Sequence, residues 1–153
     1  MLKKPGVFTP EERQVMNQHS RIGADILGKS RIPLFQLAAE VALTHHERYD
    51  GRGYPSGTAG EAIAMSGRIV SVVDFFDALT MDRCYRPAMA DDVVHGMLLK
   101  ERGIAFDPLV VDAFLAHWPR FIALRDRVTL LHPNFTDLVC GSVDGANGPQ
   151  AIA

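Results

Sequence analysis

Thr44-His45-His46-Glu47-Arg48-Tyr49-Asp50-Gly51-Arg52-Gly53-Tyr54-Pro55-Ser56-Gly57 is the stretch whose reading decides the fold. Leading into it, Leu34, Leu37, Ala38, Val41, Ala42 and His45 recur at three- and four-residue intervals and line one helical face. A helix over about Pro33 to Arg48 is therefore expected, its apolar stripe ending in a histidine. From Asp50 to Gly60, four glycines fall in eleven residues around Tyr54-Pro55. That density rules out helix and strand and leaves an ordered turn system or a mobile lid, the longest irregular segment inside the chain.

Helical spacing also governs the flanks. Upstream, Thr9 with Pro10 and Glu12 forms a capping box. It opens a helix whose stripe is Val15, Met16, His19, Ile22, Gly23, Ile26 and Leu27, with Gly28 as its stop. Downstream, a helix over about Ser66 to Met81 is expected to bury Ile69, Val72, Val73 and Phe76. Another runs from about Asp91 to Arg102, with acids in its first turn and Gly103 after it. Asp107-Pro108 opens a fifth, ending near Trp118-Pro119. Beyond Arg127 the pattern weakens: Val128 to Leu131 could pair as a short strand, and residues 141–153 read as a flexible tail. The class is all-α, one domain over residues 1–125 with an extension over 126–153.

Bulk composition narrows function by exclusion. With 47% apolar and 22% charged residues and a formal charge of −2, the 153-residue chain has no overall field to draw in nucleic acid or anionic lipid. A phosphate site must come from a local cluster of arginines. Cys84 and Cys140 are far apart and read as free thiols in a reducing compartment. No apolar run approaches the roughly 20 residues of a membrane span, and the first residues have no secretory h-region. A cytoplasmic protein is expected.

Three polar intrusions break the apolar pattern: His19, the pair His45-His46, and Asp74 with Asp77 one turn apart on a helix. Each has an ordinary explanation. A lone histidine on an apolar stripe is more often a hydrogen-bonded core residue. Paired histidines at a helix end can complement its dipole, and two carboxylates can form a solvated face, although the flanking Val73 and Phe76 place Asp74 and Asp77 near the buried side. Taken together, three imidazoles and two carboxylates on three helices make a first-row metal site, with nitrogen and oxygen donors that favour Fe, Mn, Zn or Ni over Mg or Ca.

The stretch from Thr44 to Gly57 resembles, at every defining position, the HHExxDGxGYPxG signature of the HD-GYP family, Gly53-Tyr54-Pro55 being its GYP. Ser66 to Thr80 is similar to the helix that follows in that family, Asp82-Arg83-Cys84-Tyr85-Arg86 to its RxYR/K segment, and Gly103 with Phe106-Asp107-Pro108 to its late G-x-x-FDP. Thr9-Pro10-Glu11-Glu12 and His19-Ser20-Arg21-Ile22-Gly23 agree as well, so the likeness covers roughly residues 2–120. It implies a helical bundle of the HD phosphodiesterase type, active on cyclic di-GMP with divalent transition metals, Fe or Mn ahead of Zn or Ni. It further implies that His19, His45 and His46 complete one metal centre, that Asp74 serves the neighbouring metal, and that Asp77 serves a third where one exists. By the same resemblance Arg83 and Arg86 hold the dinucleotide phosphates, and Tyr54 stacks on guanine or donates to a phosphate. Gly53-Tyr54-Pro55 would be a docking loop for diguanylate cyclase domains; association with a second copy is expected separately, from apolar surface that truncation would expose.

One departure qualifies the expectation. Members of that family carry a His-Asp dyad, followed by Ile-Gly-Lys, just before the segment that Lys4-Pro5-Gly6 resembles. No His-Asp pair occurs in these 153 residues. The portion in hand is thus expected to be an N-terminally truncated module with reduced metal occupancy and no residue assignable as the catalytic group. It would be inactive as an isolated chain, or else a non-catalytic module that binds cyclic dinucleotide or a cyclase domain through the GYP loop.

Overall fold

The computed structural model describes residues 7–82 and 87–131. Arg83, Cys84, Arg86 and Cys140, and the proposed tail at 141–153, lie outside the described residues. The order of elements is α1 (Pro10–Asn17), α2 (His19–Leu27), α3 (Pro33–Thr44), a 3-10 turn (Gly60–Ala62), α4 (Met65–Thr80), α5 (Asp91–Glu101), α6 (Pro108–Ala116) and α7 (Trp118–Leu131). Among the described residues the one β-type pairing is an isolated bridge between Arg102 and Phe106. The all-α class expected from the periodicity is what the chain adopts.

Two helix boundaries differ from expectation, and side-chain competition for backbone carbonyls accompanies both. The helix expected to run unbroken from the Thr9 cap to Leu27 is divided at Gln18, whose N–H turns back to the Val15 carbonyl at 3.2 Å. There the His19 imidazole takes the Met16 carbonyl at 2.7 Å, a local bond of the kind that competes with the helical ladder. The capping box itself forms: Thr9 N–H donates to Glu12 Oε2 at 2.8 Å and Glu12 N–H to Thr9 Oγ1 at 3.3 Å. The second helix stops at Thr44, not Arg48. The Thr44 hydroxyl donates to the Glu40 carbonyl, and His45 Nδ1 reaches those of Val41 and Ala42, so the last turn is satisfied by side chains.

The C-terminal part corrects the reading again. The fifth expected helix ends at Ala116, and α7 starts at Trp118 and runs through Leu131, so Val128 to Leu131 is helical rather than strand-like.

The apolar core is built by α4 to α6 and the turn before α6. Val72, Phe76, Val94, Leu98, Ala105, Phe106, Val111 and Phe114 form one buried cluster, with Trp118, Phe121 and Ile122 of α7 packed against it. On α4 the buried pair is Val72 and Phe76, whereas Ile69 and Val73, expected to be buried, are exposed. Likewise Val15, Ile22, Ile26, Leu34 and Leu37 are exposed. α2 and α3 pack chiefly on each other, and no described element covers their outer faces. α4 crosses the end of α3 closely enough that a Cβ on Gly67 would sit 2.1 Å from Thr44 Oγ1. That crossing fixes the end of α3 where the two histidines stand.

Candidate metal centre

His19 opens α2, His45 caps α3 and His46 follows it. The packing of α2 on α3 brings the three imidazoles together, with one ligand atom from each within 4.8 Å of the others. Ring centroids are 3.9 Å apart for His45 and His46, 4.9 Å for His19 and His46, and 5.6 Å for His19 and His45. Residues 26 positions apart are thereby joined with their neighbour in one cluster, half-buried at its α3 side.

Hydrogen bonding sets which nitrogen of each ring is free. A carbonyl only accepts, so Nδ1 of His19, against Met16 O, and Nδ1 of His45, against Val41 O and Ala42 O, must carry the proton. In both rings the Nε2 lone pair is then left for a ligand. An imidazole tied through one nitrogen to a backbone carbonyl and open at the other is the arrangement metal-binding histidines adopt. Burial first, and then the neighbouring His45 and His19, push the His46 imidazole down to about 4. It is neutral at physiological pH, so no proton need leave before a cation binds. Three imidazole donors suit a divalent transition metal and fit Mg or Ca poorly.

The glycine-rich stretch is an ordered turn system. Gly51, Gly57 and Gly60 take positive φ values of 77°, 67° and 58°, where a side chain would be strained. Gly53 has no room at all: a Cβ there would lie 2.3 Å from Arg48 N. The loop is sewn to the turn before α6, with Tyr49 N–H donating to Ala105 O at 3.0 Å and Asp50 N–H to Ile104 O at 2.8 Å. Arg48 reaches Asp50 and Glu101 from the same segment.

Tyr54 stands beside the cluster, its ring 4.8 Å from that of His46 and 6.3 Å from that of His19. Burial pushes the Tyr54 phenol up from its ordinary range, and the charge of Asp74 adds to this.

Of the residues singled out in the sequence, the structure unites His19, His45, His46 and Tyr54. Asp74 and Asp77 stand outside the group of three. Asp74 lies on an exposed part of α4 beside the exposed Val73, not near the buried side as its apolar neighbours suggested. Arg83 and Arg86 lie outside the described residues.

Sequence reasoning missed two buried carboxylates, Glu47 and Asp107. Glu47 accepts from Ser56 N–H and Thr58 N–H. Asp107 caps α6 through Leu109 N–H at 2.8 Å and pairs with Arg68. The Asp-Pro step before an apolar helical run announced the Asp107 cap. Nothing in the spacing announced Arg68 as its partner.

The model of the HD domain family matches residues 1–110 of the chain. The chain is 49% identical over 115 residues to the cyclic di-GMP phosphodiesterase response regulator RpfG of Xanthomonas campestris pv. campestris, which covers 75% of the chain and 30% of that protein. It is 46% identical over 115 residues to a cyclic di-GMP phosphodiesterase of Thermotoga maritima, covering 75% of the chain and 31% of that protein. Similarity to 3'3'-cGAMP-specific phosphodiesterase 2 of Vibrio cholerae is 41% over 125 residues, 82% of the chain and 24% of that protein. The chain thus spans about a quarter to a third of the length of these curated relatives.

Proposed function

Since the chain belongs to the HD domain family, we propose that it serves as the metal-binding and substrate-loop portion of a phosphodiesterase for cyclic dinucleotides. The observation that carries this reading is the convergence of His19, His45 and His46, three imidazoles whose ligand atoms lie within 4.8 Å of one another. The relatives named for cyclic di-GMP and for 3'3'-cGAMP support a substrate of two nucleotides joined by phosphodiesters. Cyclic di-GMP is the proposed ligand.

A divalent transition metal, Fe or Mn ahead of Zn or Ni, would be held by the three histidines and would supply Lewis-acid stabilisation and water activation. The chain's own contribution is positional. Backbone carbonyls hold His19 and His45 in the tautomer that offers Nε2. Tyr54 presents an aromatic face and a phenol beside them, suited to a base or a phosphate oxygen. Arg83 and Arg86, from their resemblance to the family's RxYR/K segment, are assigned to the phosphates, where a guanidinium fork pairs bidentately. Asp74 and Asp77 are assigned by the same resemblance to further metals, with Asp74 close enough for its charge to be felt at Tyr54.

A second reading is favoured by the loop itself, whose positive-φ glycines and tightly packed Gly53 hold Tyr54 and Pro55 in one ordered shape. In it the polypeptide binds cyclic dinucleotide, a diguanylate cyclase domain or a second copy of itself through Gly53, Tyr54 and Pro55, and does not hydrolyse. We assign the first reading to the family role and the second to what the 153 residues do unaided, in the cytoplasm.

Turnover of cyclic di-GMP separates the two. The purified chain, supplied with Mn2+ or Fe2+ and followed by chromatography, is expected to bind the dinucleotide and release no linear product. The Thermotoga maritima relative provides the positive control. A site with one metal where two are needed still activates water but loses positioning and charge stabilisation, several kcal/mol of barrier lowering, on the order of a thousandfold or more in rate. Metal-dependent turnover by the chain, abolished in His45→Ala, would refute the inactive reading. Failure to bind the dinucleotide at all would refute the substrate-loop role and leave the second reading only its protein partners.

A further inference from the structure

Among the described residues, the carboxylate buried next to the histidine cluster is that of Glu47, 4% exposed and one position after His46. Its two oxygens accept separate backbone donors from the far side of the glycine-rich loop. Ser56 N–H donates to Oε1 at 2.7 Å and Thr58 N–H to Oε2 at 3.0 Å. Two backbone donors on the two oxygens of one buried side chain make a firm tie across nine to eleven residues.

What lies between the tied ends is the segment that meets the histidines. Tyr54 N–H donates to His46 O at 3.2 Å, and the Tyr54 ring lies 4.8 Å from the His46 ring at a tilt of 35°. Gly53, with no space for a Cβ, lets the chain close back onto residues 46–48. Three anchors therefore meet at one short segment: a main-chain bond, a ring contact, and the two bonds to Glu47.

We infer that Glu47 is a positioning residue: by stapling residues 56–58 to the turn after α3, its buried carboxylate holds the Tyr54 phenol against the His46 imidazole and so sets the pose in which His46 is offered to a cation. The consequence for the cation rests on the metal-site reading proposed above. The positioning itself does not.

Chemistry says which substitution is informative. Glutamine keeps the shape but offers one acceptor and one NH2, so an amide of the loop would face a donor and lose its partner. Aspartate keeps both acceptor oxygens on a side chain one methylene shorter. Gly57 lies between the two donating amides at φ 67°, so Gly57→Ala strains the staple from the loop side and leaves every ligand and Glu47 in place.

The test uses the full chain and two readouts. Proton NMR reports contact between the Tyr54 and His46 rings and the exchange protection of the Ser56 and Thr58 amides. Titration with CoCl2 reports affinity and, through its visible bands, the geometry of the bound ion. Wild type is expected to show the ring contact and both slow amides. Glu47→Gln is expected to lose them, to shift the cobalt bands and to bind Co2+ about tenfold more weakly. Glu47→Asp recovers part of each signal, which a loss of bulk stability alone would not do, and Gly57→Ala moves both readouts in the direction of Glu47→Gln. Should Glu47→Gln fail to fold, Gly57→Ala decides. Ring contact and protected amides surviving in Glu47→Gln would overturn the inference, as would their loss with cobalt affinity unchanged. A wild type that binds no Co2+ would refute the metal-site reading, while the ring contact and amide protection still decide the positioning.

Discussion

The pair His45-His46 shows how one residue step separates two environments. His45 satisfies the end of α3 through Nδ1, whereas His46 is set apart by burial and by its two cationic-capable neighbours, which hold its imidazole down at about 4. In the metal-free protein, His46 should stay neutral as pH falls through 6, where an unperturbed histidine takes up its proton near 6.5. The sign for stability follows. Between about 6.5 and about 4 the unfolded chain binds this proton and the folded chain does not, so the group's contribution is complete above 6.5 and is lost as pH falls toward 4. An NMR titration of the ring protons checks it, and a His46 midpoint near 6.5 would contradict the burial. His19 and His45 stood out in the sequence because each lies where the stripe asks for an apolar residue, and His46 because it is paired with His45; the structure brings the three together. Their tautomers were not legible, since these depend on where the Met16, Val41 and Ala42 carbonyls stand at the helix ends. The exposure of Asp74 was misread because Val73 beside it faces outward too.

At the scale of elements, two ion pairs in the same part of the chain should behave differently. Arg68 and Asp107 join α4 to the cap of α6, with side chains 12% and 4% exposed. Asp107→Ala removes a helix cap and strands a mostly enclosed guanidinium, so a loss of about 3–5 kcal/mol is expected. Arg102 and Asp112 form an exposed bidentate pair at 2.7 and 2.6 Å. Asp112→Ala should cost at most about 1 kcal/mol, less in high salt. Urea unfolding of both variants measures the difference, and equal midpoints would contradict the role given to the buried pair. Element existence was legible from spacing and caps: the Thr9 box and the Asp107-Pro108 start are both present. Element ends were less so. The imidazoles of His45 and His19 take the Ala42 and Met16 carbonyls that a longer helix would have used, and periodicity does not register that competition. α7 was underread because Pro119 reads as a helix stop, whereas it stands in the first turn of α7, where its missing N–H costs nothing.

For the molecule as a whole, burial is uneven. The described apolar core belongs to α4 to α6 and the turn at Ala105-Phe106, whereas α1 and α2 bury no apolar residue and α3 buries only Ala39. Regions with few buried apolar contacts open most easily. Amide exchange should therefore be slower in α4 to α6 than in α1 to α3, and uniform protection would contradict this. A cation held by His19 and His45 would bridge α2 and α3 and stabilise them by mass action. Burial thus places the core in one part of the molecule and the chemistry in the other.

The central claim, that His19, His45 and His46 form a cation site, is tested most directly by counting Co2+ bound per chain in a calorimetric titration of wild type and of the three single alanine variants. The expected result is one weakly held ion per wild-type chain and a loss of binding in His19→Ala, His45→Ala and His46→Ala alike. No binding by wild type, binding that survives removal of His45, or two or more tightly held ions would contradict the claim.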